Sequence, residues 1–171
     1  MFHGWDNFYF MLGSAAAGLI GLLFVVITLT SELDQNRIQR GQALYMTPTA
    51  LHFAIVLTTG AATMAPGLSR LETAALLGLI ALVGLANAAR ALVGIAQPAD
   101  TPAAAHWSDI WTYGVAPVAI YLGLCGSAAA VGFGAAWATY AVAGSVLALL
   151  LLAIRNAWDL VTWIAPRRGS L

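Results

Sequence analysis

The chain is 171 residues long, 61% hydrophobic and 8% charged, with 7 basic residues balancing 7 acidic ones. A mean hydropathy of +0.84 is outside the range of a water-soluble domain, because so few polar side chains cannot cover the apolar surface and the bilayer must serve as solvent. The balanced charge argues against nucleic-acid binding, and a single cysteine, Cys125, excludes an intrachain disulfide or a thiolate metal cage.

The composition predicts an all-α fold: one polytopic transmembrane helical bundle over residues 1–171, with about five spans. The N-terminal sequence MFHGWDNFYF has no basic region, so the apolar run after it reads as an anchor rather than a cleaved signal. Its aromatic residues Phe2, Trp5, Phe8, Tyr9 and Phe10 suit a membrane-interface belt. The first span covers roughly 8–30 without a charge and ends in Ser31, Glu32, Leu33 and Asp34. A second, over 47–66, opens with Thr47 as a cap and Pro48 at the first helical position. It is the least apolar, carrying His52, Thr58, Thr59 and Thr63. Ser69 and Glu72 have capping-box spacing at the head of the third, over 71–94.

Pro98 and Pro102 then mark a loop. Ser108 or Asp109 can cap a fourth span over 109–132, with Pro117 as a kink. Gly132 and Gly134 make the turn into a fifth over 135–156. The polar sequence after Ile154 continues it as an interfacial tail, 157–168, anchored by Trp158 and Trp163.

All seven basic residues are arginines. With five crossings, Arg37, Arg40, Arg90, Arg155, Arg167 and Arg168 share one side and Arg70 stands alone on the other. The positive-inside rule then places the N-terminus outside and the C-terminus in the cytoplasm.

Gly-Ser-Ala-Ala-Ala occurs twice, at Gly13–Ala17 and Gly126–Ala130. Gly13, Ala17 and Gly21 make a small-residue stripe, and Gly84 with Ala88 and Gly144 with Ala148 repeat the spacing. Such stripes let helices pack closely within or between subunits. An Ala- and Gly-rich composition produces them by chance as well, and a small-residue-lined pore is a third reading.

An intramembrane polar cluster is expected toward the cytoplasmic side, from His52, Asn87, Arg90, Asn156 and Asp159. An arginine at membrane depth costs about 2.5–3.5 kcal/mol on insertion scales, so it calls for a partner or a route to water. Asp159 is the first candidate partner, followed by Asp109 and Glu32. Snorkelling to the interface and an ion or proton path are the other readings. His52 by itself reads first as a hydrogen-bonded packing histidine. His3, His52 and His106 are scattered, and no metalloprotease, di-iron, phosphate-loop or nucleophile–base pattern is present, so no metal, cofactor or catalytic residue is assigned. An enzyme is the minor reading.

The stretch Gly13–Ile27, with aromatic residues just before it, resembles the opening helix of a group of small bacterial membrane proteins of no established activity. The resemblance implies a bacterial inner-membrane location. Two functional readings follow from the whole chain. One is a homo-oligomeric permeation or transport protein, with Thr58, Thr59 and Thr63 lining its path. The other is a non-catalytic accessory or scaffold subunit that binds a larger membrane complex or lipid.

Overall fold

The structure, a computed structural model, describes residues 2–30, 46–96 and 107–164. Glu32, Arg37, Arg40, Pro98, Pro102, His106, Arg167 and Arg168 therefore lie outside the described residues, as does the tail beyond 164. All regular structure among the described residues is helical. Helix α1 covers Asp6–Thr30, α2 Thr47–Met64, α3 Arg70–Ala96, α4 Trp107–Phe133 and α5 Ala138–Ile164. Four of them, α1, α3, α4 and α5, are long and apolar enough to cross a membrane. The expected second span, α2, is not among these four.

Local chemistry explains two of the helix ends. At the head of α3 the Ser69 N–H donates to Glu72 Oε2 at 2.8 Å and the Glu72 N–H donates to Ser69 Oγ at 3.3 Å, the reciprocal pair that the spacing predicts. Helix α4 stops at Gly134, whose φ of 78° suits a residue without a Cβ. There the Ala135 N–H reaches Ala130 O and the Gly134 N–H reaches Val131 O, both at 3.0 Å, a Schellman closure.

Two predicted caps are corrected. Thr47 is already helical, preceded by Met46 in right-handed geometry with no side-chain cap; Pro48 sits in the first turn, where its missing N–H costs nothing. Helix α4 begins at Trp107, ahead of the proposed caps, and Asp109 makes no side-chain cap.

Successive helices are antiparallel. Late α2 meets early α1, where a Cβ on Gly60 would lie 3.1 Å from Tyr9 O. Late α3 meets early α4, where a Cβ on Gly114 would lie 2.5 Å from Leu92 Cδ1. The start of α5 returns to the start of α1, where the Trp5 and Tyr140 rings pack edge-on at 5.1 Å.

Helix α2 packs against α1, α3 and α5, and α5 in turn packs against α1, α2 and α4. Nine of the 18 residues of α2 are buried, among them His52, Phe53, Val56 and Thr59. Its low hydropathy follows from that position: a helix that touches protein on three sides need not dissolve in lipid. At 18 residues it is still about 27 Å long, close to the thickness of a hydrocarbon core.

The outer helices invert the pattern of a soluble protein. Leu22, Phe24, Leu79, Leu122, Leu151 and Phe133 are exposed, while the core is filled by Tyr9, Leu77, Tyr121, Leu124, Val142 and Leu149. Exposed aromatic residues gather at the helix ends: Phe10, Phe133, Trp137 and Tyr140 at one end, Trp107, Trp111 and Trp158 at the other. Tyr140 and Trp158 are about 27 Å apart along α5, and Trp111 and Phe133 about 33 Å apart along α4, spacings that suit two interfacial belts. Phe2 and Tyr9, expected in the belt, instead turn into the core, at 8% and 1% exposure.

Candidate functional site

The polar residues predicted to form one cluster are divided among separate settings. His52 Nδ1 and the Tyr121 hydroxyl are 2.8 Å apart, and both side chains are fully buried. The Tyr121 ring lies over Gly84 of α3, so closely that a Cβ on Gly84 would overlap it. Three helices thus meet at one hydrogen bond: α2 brings the imidazole, α4 the phenol and α3 the gap that admits the ring. Gly84 and Ala88, read from the sequence as a packing stripe, are both buried.

The second setting lies toward the start of α4. Residues Ile110–Val115 form a π-helical segment in which the Ala116 N–H reaches Trp111 O. In that register the donor for Thr112 O would be residue 117, and proline has no N–H. Asn156 of α5 supplies the missing donor, its Nδ2 lying 3.1 Å from Thr112 O. Tyr113 answers in the other direction, its hydroxyl donating to Asn156 O at 3.0 Å. Asn156 is fully buried and Tyr113 nearly so. At Pro117, where a kink is expected, the chain instead has a π segment just before the proline, whose orphaned carbonyl is met from the neighbouring helix.

Of the charged residues in the expected cluster, neither Arg90 nor Asp159 joins either setting. Asp159 pairs with Arg155 one turn earlier on its own helix, 3.2 Å apart and both nearly half exposed, and not with Arg90. Arg155 Nη1 also lies 3.4 Å from Asn156 Oδ1. Arg90 is exposed. Asn87 donates back to Val83 O of α3. The proposed lock between α3 and α5 is corrected: the acid meets a nearer base on the same helix face.

Nor do the three threonines share one lining. Thr58 is exposed and donates to Ala54 O at 2.9 Å, and Thr63 bonds back to Thr59 O and Gly60 O. Thr59 is fully buried with no hydrogen-bond partner for its hydroxyl, and the same holds for Tyr9. Among the described residues no three His, Cys, Asp or Glu side chains gather as a metal site needs.

The small-residue stripes are divided as well. Gly13 faces Leu57 of α2, and Ala130 is buried. Ala17, Gly21, Gly126 and Gly144 are exposed, and a Cβ on Gly21, Gly126 or Gly144 would meet nothing within 4 Å.

Sequence reasoning did not single out Tyr121, Tyr113, Thr112 or Gly60. Pro117 carried a signal for the π segment, since a proline inside a span frees a carbonyl one turn earlier. The pairing of Tyr121 with His52 had no local signal. Comparison with family models, with curated proteins and with solved structures found no match for this chain.

Proposed function

We propose that this chain is a multi-pass membrane protein of five crossings, N-terminus outside and C-terminus cytoplasmic, that works through its lateral surface. Its role on this reading is that of an accessory or scaffold unit, associating with a second copy or with a helix of a larger membrane assembly. The observation that carries the reading is the outer face of α1. Ser14, Ala17, Gly18 and Gly21 are all exposed, and Gly18 and Gly21 have open space where a side chain would be. Small residues facing lipid gain little there, whereas they let another helix approach closely. The first-span resemblance supports a bacterial inner membrane as the location.

The interior favours this reading over permeation. Large side chains fill it, and the Thr58 and Thr63 hydroxyls bond back to carbonyls of their own helix while the Thr59 hydroxyl is buried without a partner. A photo-crosslinker at Ala17 in cell membranes is the test. Protein adducts that disappear on Gly18→Leu are the expected outcome, while lipid adducts alone would overturn lateral association. Ion or solute flux through liposomes above that of empty vesicles would restore the permeation reading.

A further inference from the structure

Between the first half of α3 and the last half of α4 the outer surface holds a cavity of about 450 Å³. Leu71, Gly78 and Leu82 form one wall, and Ala129, Gly132 and Phe133 are on the other. Among the described residues the Cys125 thiol is the only polar side-chain group that lines it. At Gly78 there is open space: a Cβ there would meet no atom within 4 Å. From Leu71 to Leu82 the groove runs about 16 Å, half of the roughly 30 Å hydrocarbon core and so the depth of one leaflet.

One charge stands at the mouth. Arg70 precedes Leu71, and its Nη1 would be 2.5 Å from a Cβ on Gly134, the residue after Phe133. The guanidinium therefore bridges the two helix ends that bound the groove. Among the described residues it has no ion-pair partner, since the one ion pair is Arg155 with Asp159. The nearby Glu72 carboxylate is engaged by the Ser69 N–H at 2.8 Å. Exposed Phe133 marks this end as the level of the interface.

An apolar channel one leaflet deep, closed at the headgroup level by an unpaired guanidinium, matches the two parts of a lipid molecule. We infer that this groove binds a glycerophospholipid of the surrounding bilayer, with one acyl chain between α3 and α4 and the phosphate on Arg70. A transmembrane helix from a second copy fits less well, because it would run the full thickness of the membrane. Arginine suits the phosphate, since its planar fork can give two parallel charge-assisted hydrogen bonds.

Native mass spectrometry of the full chain, titrated with dioleoyl phosphatidylglycerol from detergent, tests the site. Wild type should retain one lipid. Arg70→Gln and Gly78→Leu should each weaken retention about tenfold, the first by removing the charge and the second by filling the channel. Arg70→Lys, which keeps the charge without the fork, should recover part of the loss, which a general folding defect would not. Circular dichroism should give the same helix content for all four proteins. Equal retention by wild type and both weakening variants would overturn the site. So would loss on Arg70→Gln alone, which means phosphate binding without a chain in the groove. A dimer dispersed by Gly78→Leu would give the groove to a second copy instead.

Discussion

A Cβ on Gly84 would fall within the ring of Tyr121, and that ring is held by His52 at 2.8 Å. Gly84→Ala must therefore displace a fully buried phenol, with an expected cost of about 1–3 kcal/mol from overpacking. Tyr121→Phe keeps the ring and removes only the hydroxyl. Hydrogen bonds between membrane helices average about 0.6 kcal/mol in mutant cycles, so this change should cost less than Gly84→Ala. Denaturant titration in mixed micelles would rank the two, and the reverse order would mean that the ring has room to shift. The charged residues give a contrasting case. Arg155 and Asp159, nearly half exposed at 3.2 Å, should couple by no more than about 0.5 kcal/mol. Arg90→Ala and Asp159→Asn should be additive within about 0.5 kcal/mol in the same titration. Any larger coupling would mean that Arg90 does reach Asp159.

Helix α4 shows how one element depends on another. Its π segment leaves Thr112 O without a backbone donor because residue 117 is proline, and Asn156 of α5 takes that place. Asn156→Ala should destabilise the protein by about 1–2 kcal/mol, since it leaves a buried carbonyl unmet. In a Pro117→Ala background the chain regains an N–H in that turn, and the same substitution should cost less. A double-mutant cycle measures the difference. Equal costs in both backgrounds would show that the asparagine acts by packing and not by meeting the freed carbonyl. Irregular backbone in an apolar setting needs its freed groups met by protein, and here a single side chain of the neighbouring helix does so.

For the molecule as a whole, the topology depends on whether α2 crosses. Its antiparallel packing on α1 brings the 65–69 turn to the same end as the start of α1. In a Cys125→Ser background, cysteines at Asn7, Leu68 and Ala136 should react with a membrane-impermeant reagent from one side, and a cysteine at Trp107 from the other. Labelling of positions 7 and 68 from opposite sides would remove α2 from the crossing helices.

Helical class, the starts of the four apolar spans and the ends of the first three to within about three residues, the Ser69–Glu72 cap and the glycine turn at 134 could all be read from the chain. These depend on neighbours within one or two turns, which a linear sequence displays. The last helix, by contrast, runs on to Ile164, well past the expected end at 156. The polar contacts were legible only as candidates. His52, Asn156 and Asp159 were found, but their partners were not, because a partner on another helix is fixed by helix rotation and packing. A short step along the chain then decides the outcome: Asp159 reaches Arg155 on its own face, whereas Asn156 turns inward to Thr112. Composition called for helices that suit a bilayer, because too few polar groups exist to cover the apolar surface, and four of the helices are long and apolar enough to cross one. Only the packed bundle decided that α2, which is not among the four long apolar helices, has half of its residues buried against its neighbours, where their side chains supply what hydrocarbon cannot.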